Sequence, residues 1–237
     1  MKLTAVRTRV FTENENLPAF ITHFIKSVPE NAVLAVSSKL VALWKGNTLP
    51  YTDAAQKEEL IKQHSRAALK TPLAWITVKD GMIMTNAGVD ESNADGKWVL
   101  LPDCYAGAHE LLTELKKAWQ VQNLGVVVTD SMILPLRAGV IAAAVGYAGF
   151  KGVQDLRGRA DIFGKPLKTT LVNVADSLAT AAALLMGEAN EQQPLCLIEE
   201  APVLFVEKTD REEMQYPQED DLYAPLLKAV NLIQQEN

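Results

Sequence analysis

The chain has 237 residues and a formal net charge of −6, with 48% hydrophobic and 22% charged residues. This is the composition of an ordinary globular protein. A chain of this length buries roughly 70% or more of its unfolded surface, so it needs neither disulfides nor structural zinc to fold. Because no basic cluster is visible, the sequence argues against nucleic acid as a partner.

The cysteines and the apolar stretches indicate a cytoplasmic protein with no membrane partner. Cys104 and Cys196 are far apart, and the three histidines do not cluster with them at zinc-finger spacing. We therefore expect two buried thiols in a reducing compartment. Residues 1–18 lack the apolar core of a signal peptide, and the most apolar stretch, residues 139–148, is too short and glycine-interrupted to span a bilayer.

Hydrophobic periodicity and turn residues predict the elements of the chain. In chain order they are strand 6–11, helix 17–27 with Asn16 as N-cap, strand 33–36, helix 53–69, hairpin strands 75–78 and 82–84, helix 106–119, strands 125–128, 140–147 and 171–174, helix 176–186, strand 195–198 and helix 222–234.

These elements neither alternate regularly nor segregate fully, which favours an α+β fold with mixed sheets and flanking helices. We expect one domain over residues 1–208, without a clear internal boundary. Residues 209–237 are predicted to form an acidic, solvated linker and a short C-terminal helix.

Three segments place acidic, amide or hydroxyl side chains where a regular element gives way to a loop. They are residues 86–93 with Asp90, residues 126–131 with Asp130 and Ser131, and residues 186–193 with Glu188. Hard divalent cations prefer such oxygen ligands and often leave positions free for phosphate oxygens. Each segment alone has a commoner structural interpretation, such as a cap or a turn. The chain has no P-loop, dinucleotide-binding fingerprint or nucleophile elbow.

The order of the motifs carries more information than any one of them. The segments NAGVDESN, GVVVTDS, GFKGVQDLRGRADIFGKPLK and VADSLATAAALLMGE follow one another between about residues 83 and 198. In this order they resemble the coenzyme F420:L-glutamate ligase family. The segment VLAVSSKLV at residues 33–41 resembles it more loosely.

The resemblance implies an α+β homodimer of two intimately joined lobes. The family forms γ-glutamyl amides, using a nucleoside triphosphate (GTP, or ATP) and two divalent metal ions, Mg²⁺ or Mn²⁺. Carried over by position, the implied metal ligands are Asp90, Asp130, Ser131 and Glu188. The implied nucleotide contacts are Ser38, Lys39, Asn93, Met186, Gly187, Glu188, Ala189, Asn190, Glu191, Gln192 and Gln193.

The implied reaction passes a phosphoryl group to the carboxylate of an acceptor, and the amino group of L-glutamate then attacks the resulting acyl phosphate. Asp90 and Asp130 would act through the metal ions and the charge that develops on the phosphates. Arg137 is a candidate for bidentate pairing with a carboxylate, although a surface ion pair explains it equally well.

One departure from the family bears on the acceptor. F420 ligases offer Gly-Arg after the Asp-Thr that follows the GVVV strand, whereas this chain has the apolar residues 132–136. Losing an arginine removes a partner for the phosphodiester of the deazaflavin precursor, and apolar side chains suit a pterin. We therefore expect tetrahydrofolate as the acceptor. The deazaflavin precursor F420-0 is the alternative, and a non-catalytic nucleotide-binding homologue is a second one.

Overall fold

The computed structural model describes residues 1–232 of the chain. Its helices are α1 (Leu17–Phe24), α2 (Ser38–Trp44), α3 (Ala54–Gln63), α4 (Cys104–Trp119), α5 (Val174–Met186) and α6 (Ala224–Ala229). Its strands are β1 (Lys2–Val6), β2 (Ala32–Ser37), β3 (Thr48–Pro50), β4 (Ala67–Lys70), β5 (Trp75–Lys79), β6 (Met82–Thr85), β7 (Val89–Asp90), β8 (Lys97–Leu100), β9 (Leu124–Ile133), β10 (Val140–Ala148), β11 (Val153–Asp155), β12 (Leu171–Asn173) and β13 (Leu195–Glu199).

A five-stranded sheet in the order β1-β13-β2-β9-β10 forms the centre of the molecule. Only β2 and β9 pair in parallel, and the other neighbours are antiparallel. Leu34 and Val36 of β2 join the core beneath α1 and α4, whereas Val33 and Ala35 join the core beneath α5. Successive side chains of a strand point to opposite faces, so an apolar run such as β2 requires helices on both sides.

A smaller region carries two three-stranded antiparallel sheets, in the orders β3-β8-β7 and β4-β5-β6. The buried Trp98 of β8 packs with Leu60 and Ile61 of α3 in its core. This region places the end of β7 beside the central sheet. The α+β prediction of mixed and antiparallel sheets with flanking helices is therefore confirmed.

Several predicted boundaries were wrong. The first strand is residues 2–6 instead of 6–11, and the helix predicted over residues 53–69 ends at Gln63, after which β4 begins. Strand β9 continues to Ile133, so Asp130 lies inside a strand and not beyond its end. The extension could not be predicted from the apolar pattern, because residues 129–133 are partly polar. They form a strand because they pair with β10.

Part of the segment predicted as a solvated linker packs against the body of the protein. The carboxylate of Glu213 accepts hydrogen bonds from the hydroxyl of Tyr147 at 2.7 Å and from the N–H of Gly152 at 2.6 Å. The hydroxyl of Thr209 accepts a hydrogen bond from Gly149 N–H. Helix α6 covers part of the predicted helix 222–234, and residues 233–234 lie outside the described residues.

Between residues 1 and 232, no helix combines the length and the apolar character that crossing a membrane requires. Both cysteines are buried and unpaired, as the sequence predicted.

Candidate active site

A cavity of about 740 Å³ opens between the central sheet and the smaller region. All three segments that carry oxygen ligands contribute to its wall, although they are widely separated in sequence. The residues predicted for metal and nucleotide that line it are Ser38, Lys39, Asp90, Asn93, Asp130, Ser131, Met186, Gly187, Glu188, Ala189, Asn190, Glu191, Gln192 and Gln193.

Asp130 lies in β9 beside the first turn of α2. The parallel pairing of β2 with β9 sets Ser37 opposite Thr129, so the next residue of each segment also meets. As a result, the hydroxyl of Ser38 donates to Asp130 Oδ1 at 3.0 Å. Burial raises the pKa of Asp130 to about 6, and the nearby charge of Asp90 adds to this effect, against the hydrogen bonds from Ser38 and the N–H of Ser131.

Asp90 ends β7 and faces Asp130 with a different electrostatic environment. Lys39 Nζ lies 2.7 Å from its Oδ2, and the hydroxyl of Ser92 donates to the same oxygen at 2.7 Å. Its Oδ1 accepts the N–H of Ser92 at 2.9 Å. Burial on its own would raise the pKa of Asp90, but Lys39 and Ser92 outweigh it and hold the pKa below its usual value. Asp90 is therefore an anion at neutral pH.

Glu188 reaches the same wall from the end of α5. The hydroxyl of Ser131 donates to Glu188 Oε2 at 2.7 Å. The helix ends at Gly187, with φ +82° and ψ 166°, a conformation that is essentially restricted to glycine. A Cβ atom there would also lie 2.3 Å from the carboxyl carbon of Glu191. Glycine thus sets the direction in which the chain leaves α5.

The turn that follows, residues 188–193, is held by contacts to both regions of the protein. Asn93 Nδ2 donates to the carbonyl of Ala189 at 3.3 Å, and the N–H of Thr8 donates to the carbonyl of Gln192 at 2.8 Å. The carboxylate of Glu191 accepts the N–H of Ala189 at 2.9 Å. These contacts place a turn with polar backbone and side-chain groups along one side of the cavity.

The donor set fits hard divalent cations, since Asp90, Asp130, Ser131 and Glu188 offer carboxylate and hydroxyl oxygens to one cavity. Within residues 1–232, no three carboxylate, imidazole or thiol groups are gathered closely enough to hold a metal ion by themselves. Mg²⁺ usually keeps several water ligands and binds to proteins through one or two carboxylates, together with phosphate oxygens where these are present.

Arg137 is the one predicted site residue that the fold does not bring to the cavity. It lies on the exposed turn between β9 and β10, outside the cavity wall as the described residues define it. Of the apolar residues 132–136, Ile133 lines the cavity, whereas the others do not and Leu136 is fully exposed. These residues thus offer little apolar surface to a substrate in the cavity.

Sequence reasoning missed two contributors to the site. Ser92 binds both Lys39 and Asp90, and the pattern Asp-x-Ser, in which an aspartate accepts the N–H two residues on, could have revealed it. Residues 8–11 also line the cavity, and the N–H of Thr8 donates to the carbonyl of Gln192. They were assigned to a strand, and no local pattern places them near the turn 188–193.

Comparison with known proteins shows similarity to one family of ligases. Residues 5–200 match the family described as F420-0:Gamma-glutamyl ligase. A protein of Methanococcus maripaludis (strain C7) named Coenzyme F420:L-glutamate ligase is 39% identical over 145 residues, which cover 60% of this chain and 57% of that protein.

Two further relatives carry the same name. The protein of Methanopyrus kandleri is 44% identical over 119 residues, covering 49% of this chain and 47% of that protein. The protein of Methanosarcina mazei is 29% identical over 205 residues, covering 78% and 80%. The chain thus spans somewhat more than half the length of the first relatives. The family match covers residues 5–200, which is most of the chain and includes every residue that lines the cavity. The chain therefore belongs to the F420-0:gamma-glutamyl ligase family.

Proposed function

We propose that the chain is a γ-glutamyl ligase, which joins L-glutamate to a carboxylate of a small-molecule acceptor at the expense of GTP or ATP. One observation carries the proposal: Asp90, Asp130, Ser131 and Glu188 line a single cavity together with Lys39. Joining a carboxylate to an amine in water is uphill, and this wall has the chemistry to hold the triphosphate that drives it.

Each side chain has a role that follows from its position. Lys39, one helical residue from Ser38, carries an ammonium group at the cavity wall that is suited to contact a phosphate. The turn 188–193 offers its polar groups to the nucleotide, and Asn93 fixes the turn through the carbonyl of Ala189. Asp90, Asp130, Ser131 and Glu188 would hold the divalent cations, which neutralise phosphate charge when bound.

The apolar segment 132–136 had suggested tetrahydrofolate as the acceptor. The family relationship instead supports an F420-0-type acceptor. Three relatives of the chain are named for coenzyme F420. The segment itself gives little support to a pterin, since Leu134 and Leu136 are exposed and Ile133 alone of the three lines the cavity. We therefore propose F420-0, with its deazaflavin and phosphodiester, as the acceptor.

A direct competition tests this proposal. The protein is incubated with labelled L-glutamate, Mg²⁺ or Mn²⁺, GTP or ATP, and an equal mixture of F420-0 and tetrahydrofolate, and products are identified by mass spectrometry. We expect glutamate on F420-0, and none with Asp130→Asn as the matched control. Glutamate on tetrahydrofolate alone would restore the folate hypothesis, and no product from either acceptor would favour the non-catalytic alternative.

A further inference from the structure

Helix α5 packs against the central sheet through Val174, Leu178 and Met186, and between these residues through alanines. Ala175, Ala179 and Ala182 of the helix share a buried cluster with Ala144 of β10. Alanine side chains form shallow ridges, so their packing resists sliding or rotation of the helix less than interlocking large side chains would. Where these alanines meet Ala144 of β10, contacts other than apolar packing can therefore add to the definition of the position of α5.

Two polar contacts add to the definition of that position. The carboxylate of Asp176 accepts the N–H of Ala144 at 2.8 Å, and the hydroxyl of Thr180 donates to the carbonyl of Ala142 at 2.5 Å. Asp176 and Thr180 are four residues apart, so they lie on one face of the helix. Asp176 is itself held by the side-chain amide of Asn173, at 2.6 Å.

The strand residues that receive these contacts are paired with the metal-site segment. Ala142 is opposite Ser131 in the β9–β10 register, and Ala144 is opposite Thr129. The register of the two strands shifts directly after Ala144, at a β-bulge. Asp176 binds the strand at this irregular point, where the regular ladder of hydrogen bonds is interrupted.

The C-terminal end of α5 leads directly to Glu188, one of the proposed metal ligands. Two turns beyond Thr180 the helix ends at Gly187, and Glu188 accepts the hydroxyl of Ser131 at 2.7 Å. The position of α5 thus determines the contact of Glu188 with Ser131. Thr180 bonds to Ala142, Ala142 is paired with Ser131, and Ser131 bonds to Glu188. A displacement of α5 by a fraction of a turn would separate Glu188 from Ser131, because one turn of helix advances about 5.4 Å.

We propose that Asp176 and Thr180 are positioning residues, which fix α5 on β10 so that Glu188 meets Ser131 and Asp130 at the cavity. This inference rests on the proposed function only in taking these three side chains as metal ligands. Neither Asp176 nor Thr180 lines the cavity, so both act through the helix that carries Glu188.

The test compares variants of one helix by Mn²⁺ binding, followed by electron paramagnetic resonance with GTP present. Thr180→Val keeps the shape and removes the hydroxyl, and we expect Mn²⁺ affinity to fall about tenfold, as when other outer-shell partners of metal ligands are removed. Asp176→Ala should act in the same direction. Thr180→Ser keeps the hydroxyl and should retain most of the affinity. Ser177→Ala is the matched control, because its exposed hydroxyl donates to the carbonyl of Asn173, the N-cap residue of the same helix, and not to the sheet.

Hydrogen exchange provides the second readout, since the amide of Ala144 should exchange faster in Asp176→Ala than in the control. Unchanged Mn²⁺ affinity in Thr180→Val and Asp176→Ala would overturn the proposal, as would an equal loss in Ser177→Ala. Wild-type protein that binds no Mn²⁺ would overturn it too. A wild type that binds Mn²⁺ tightly but glutamylates neither acceptor would refute only the proposed function.

Discussion

Asp130 is the carboxyl group of the site whose ionised form the fold disfavours. Its carboxylate is buried, it faces the negative charge of Asp90, and its pKa is raised from 3.8 to about 6. The native protein therefore binds the proton more tightly than the unfolded chain does. The corresponding stability is fully present below about pH 3.8 and is lost as the pH rises through about 6, so at neutral pH the ionised Asp130 destabilises the metal-free protein.

Replacing this carboxylate should therefore stabilise the protein while removing its ligand binding. In excess chelator at pH 7.5, we expect Asp130→Asn to be more stable than the wild type, by at most about 3 kcal/mol. The difference should vanish near pH 4, where both side chains are neutral. Mn²⁺ with GTP should raise the melting temperature of the wild type only. Thermal unfolding followed by circular dichroism measures all three effects, and an equal ligand-induced shift in the variant would show that Asp130 holds no cation.

The sequence predicted the carboxylates of the site but not their partners. Asp130 and Ser131 stand out because they follow an apolar run, and Asp90 because it lies in a loop rich in polar residues and glycine. The bond from Ser38 to Asp130 spans 92 residues, and it arises from the parallel pairing of β2 with β9. No local pattern encodes such a contact, since it depends on which strands become neighbours.

At the scale of elements, the end of α5 requires glycine for two reasons: the backbone has a positive φ, and a Cβ atom would clash with a neighbouring side chain. Gly187 has φ +82° and no room for a Cβ beside Glu191, whereas Gly158 has the same φ and open space around it. We expect Gly158→Ala to cost about 1 kcal/mol through φ strain alone. Gly187→Ala should cost about 1–3 kcal/mol and also weaken GTP binding, because Glu191 must leave the N–H of Ala189.

Urea denaturation and calorimetric titration with GTP and Mn²⁺ separate these two contributions. Equal GTP affinity in Gly187→Ala and the wild type would show that the turn 188–193 does not depend on the helix end.

The segment around Glu213 should behave as part of the folded body. The side chain of Glu213 is only 12% exposed and satisfies both the buried Tyr147 hydroxyl and the N–H of Gly152. Removing it in Glu213→Ala leaves the N–H of Gly152 without its acceptor and the hydroxyl of Tyr147 with only the carbonyl of Asp210, at 3.3 Å. This should cost on the order of 2 kcal/mol in urea denaturation. The neighbouring Glu212 is exposed, so Glu212→Ala should change stability by less than about 0.5 kcal/mol. Equal effects of the two variants would mean that the segment is a solvated linker after all.

Long apolar runs such as those of β2 and β10 were predictable because they are buried on both faces and tolerate few alternatives. Strands β3 and β7 have three and two residues, too few to show a period. Their formation depends on pairing with β8, which also places Asp90 at the cavity. In the smaller region, the hairpin of β5 and β6 was predicted from the sequence, whereas the sheet β3-β8-β7 was not.

At the scale of the whole molecule, apolar and basic side chains concentrate on one exposed connection. Ile162 and Phe163, between β11 and β12, are 92% and 82% exposed. The same connection carries Arg157, Arg159, Lys165 and Lys168 against Asp161, although the chain as a whole has a net charge of −6. Large exposed apolar side chains with charged neighbours are typical of a surface that another protein covers. A second copy of this acidic chain offers carboxylates with which the basic side chains of this connection can pair.

We therefore predict a homodimer that buries this connection. Sedimentation velocity should give twice the chain mass of 25.9 kDa for the wild type. Substituting Ile162→Asp together with Phe163→Asp should yield the monomer, because it would bury two unpaired carboxylates in the interface. Leu73→Asp is the matched control: this side chain is 83% exposed on the smaller region and should leave the dimer intact. A monomeric wild type would refute the dimer, and dissociation by both variants would show that the interface lies elsewhere.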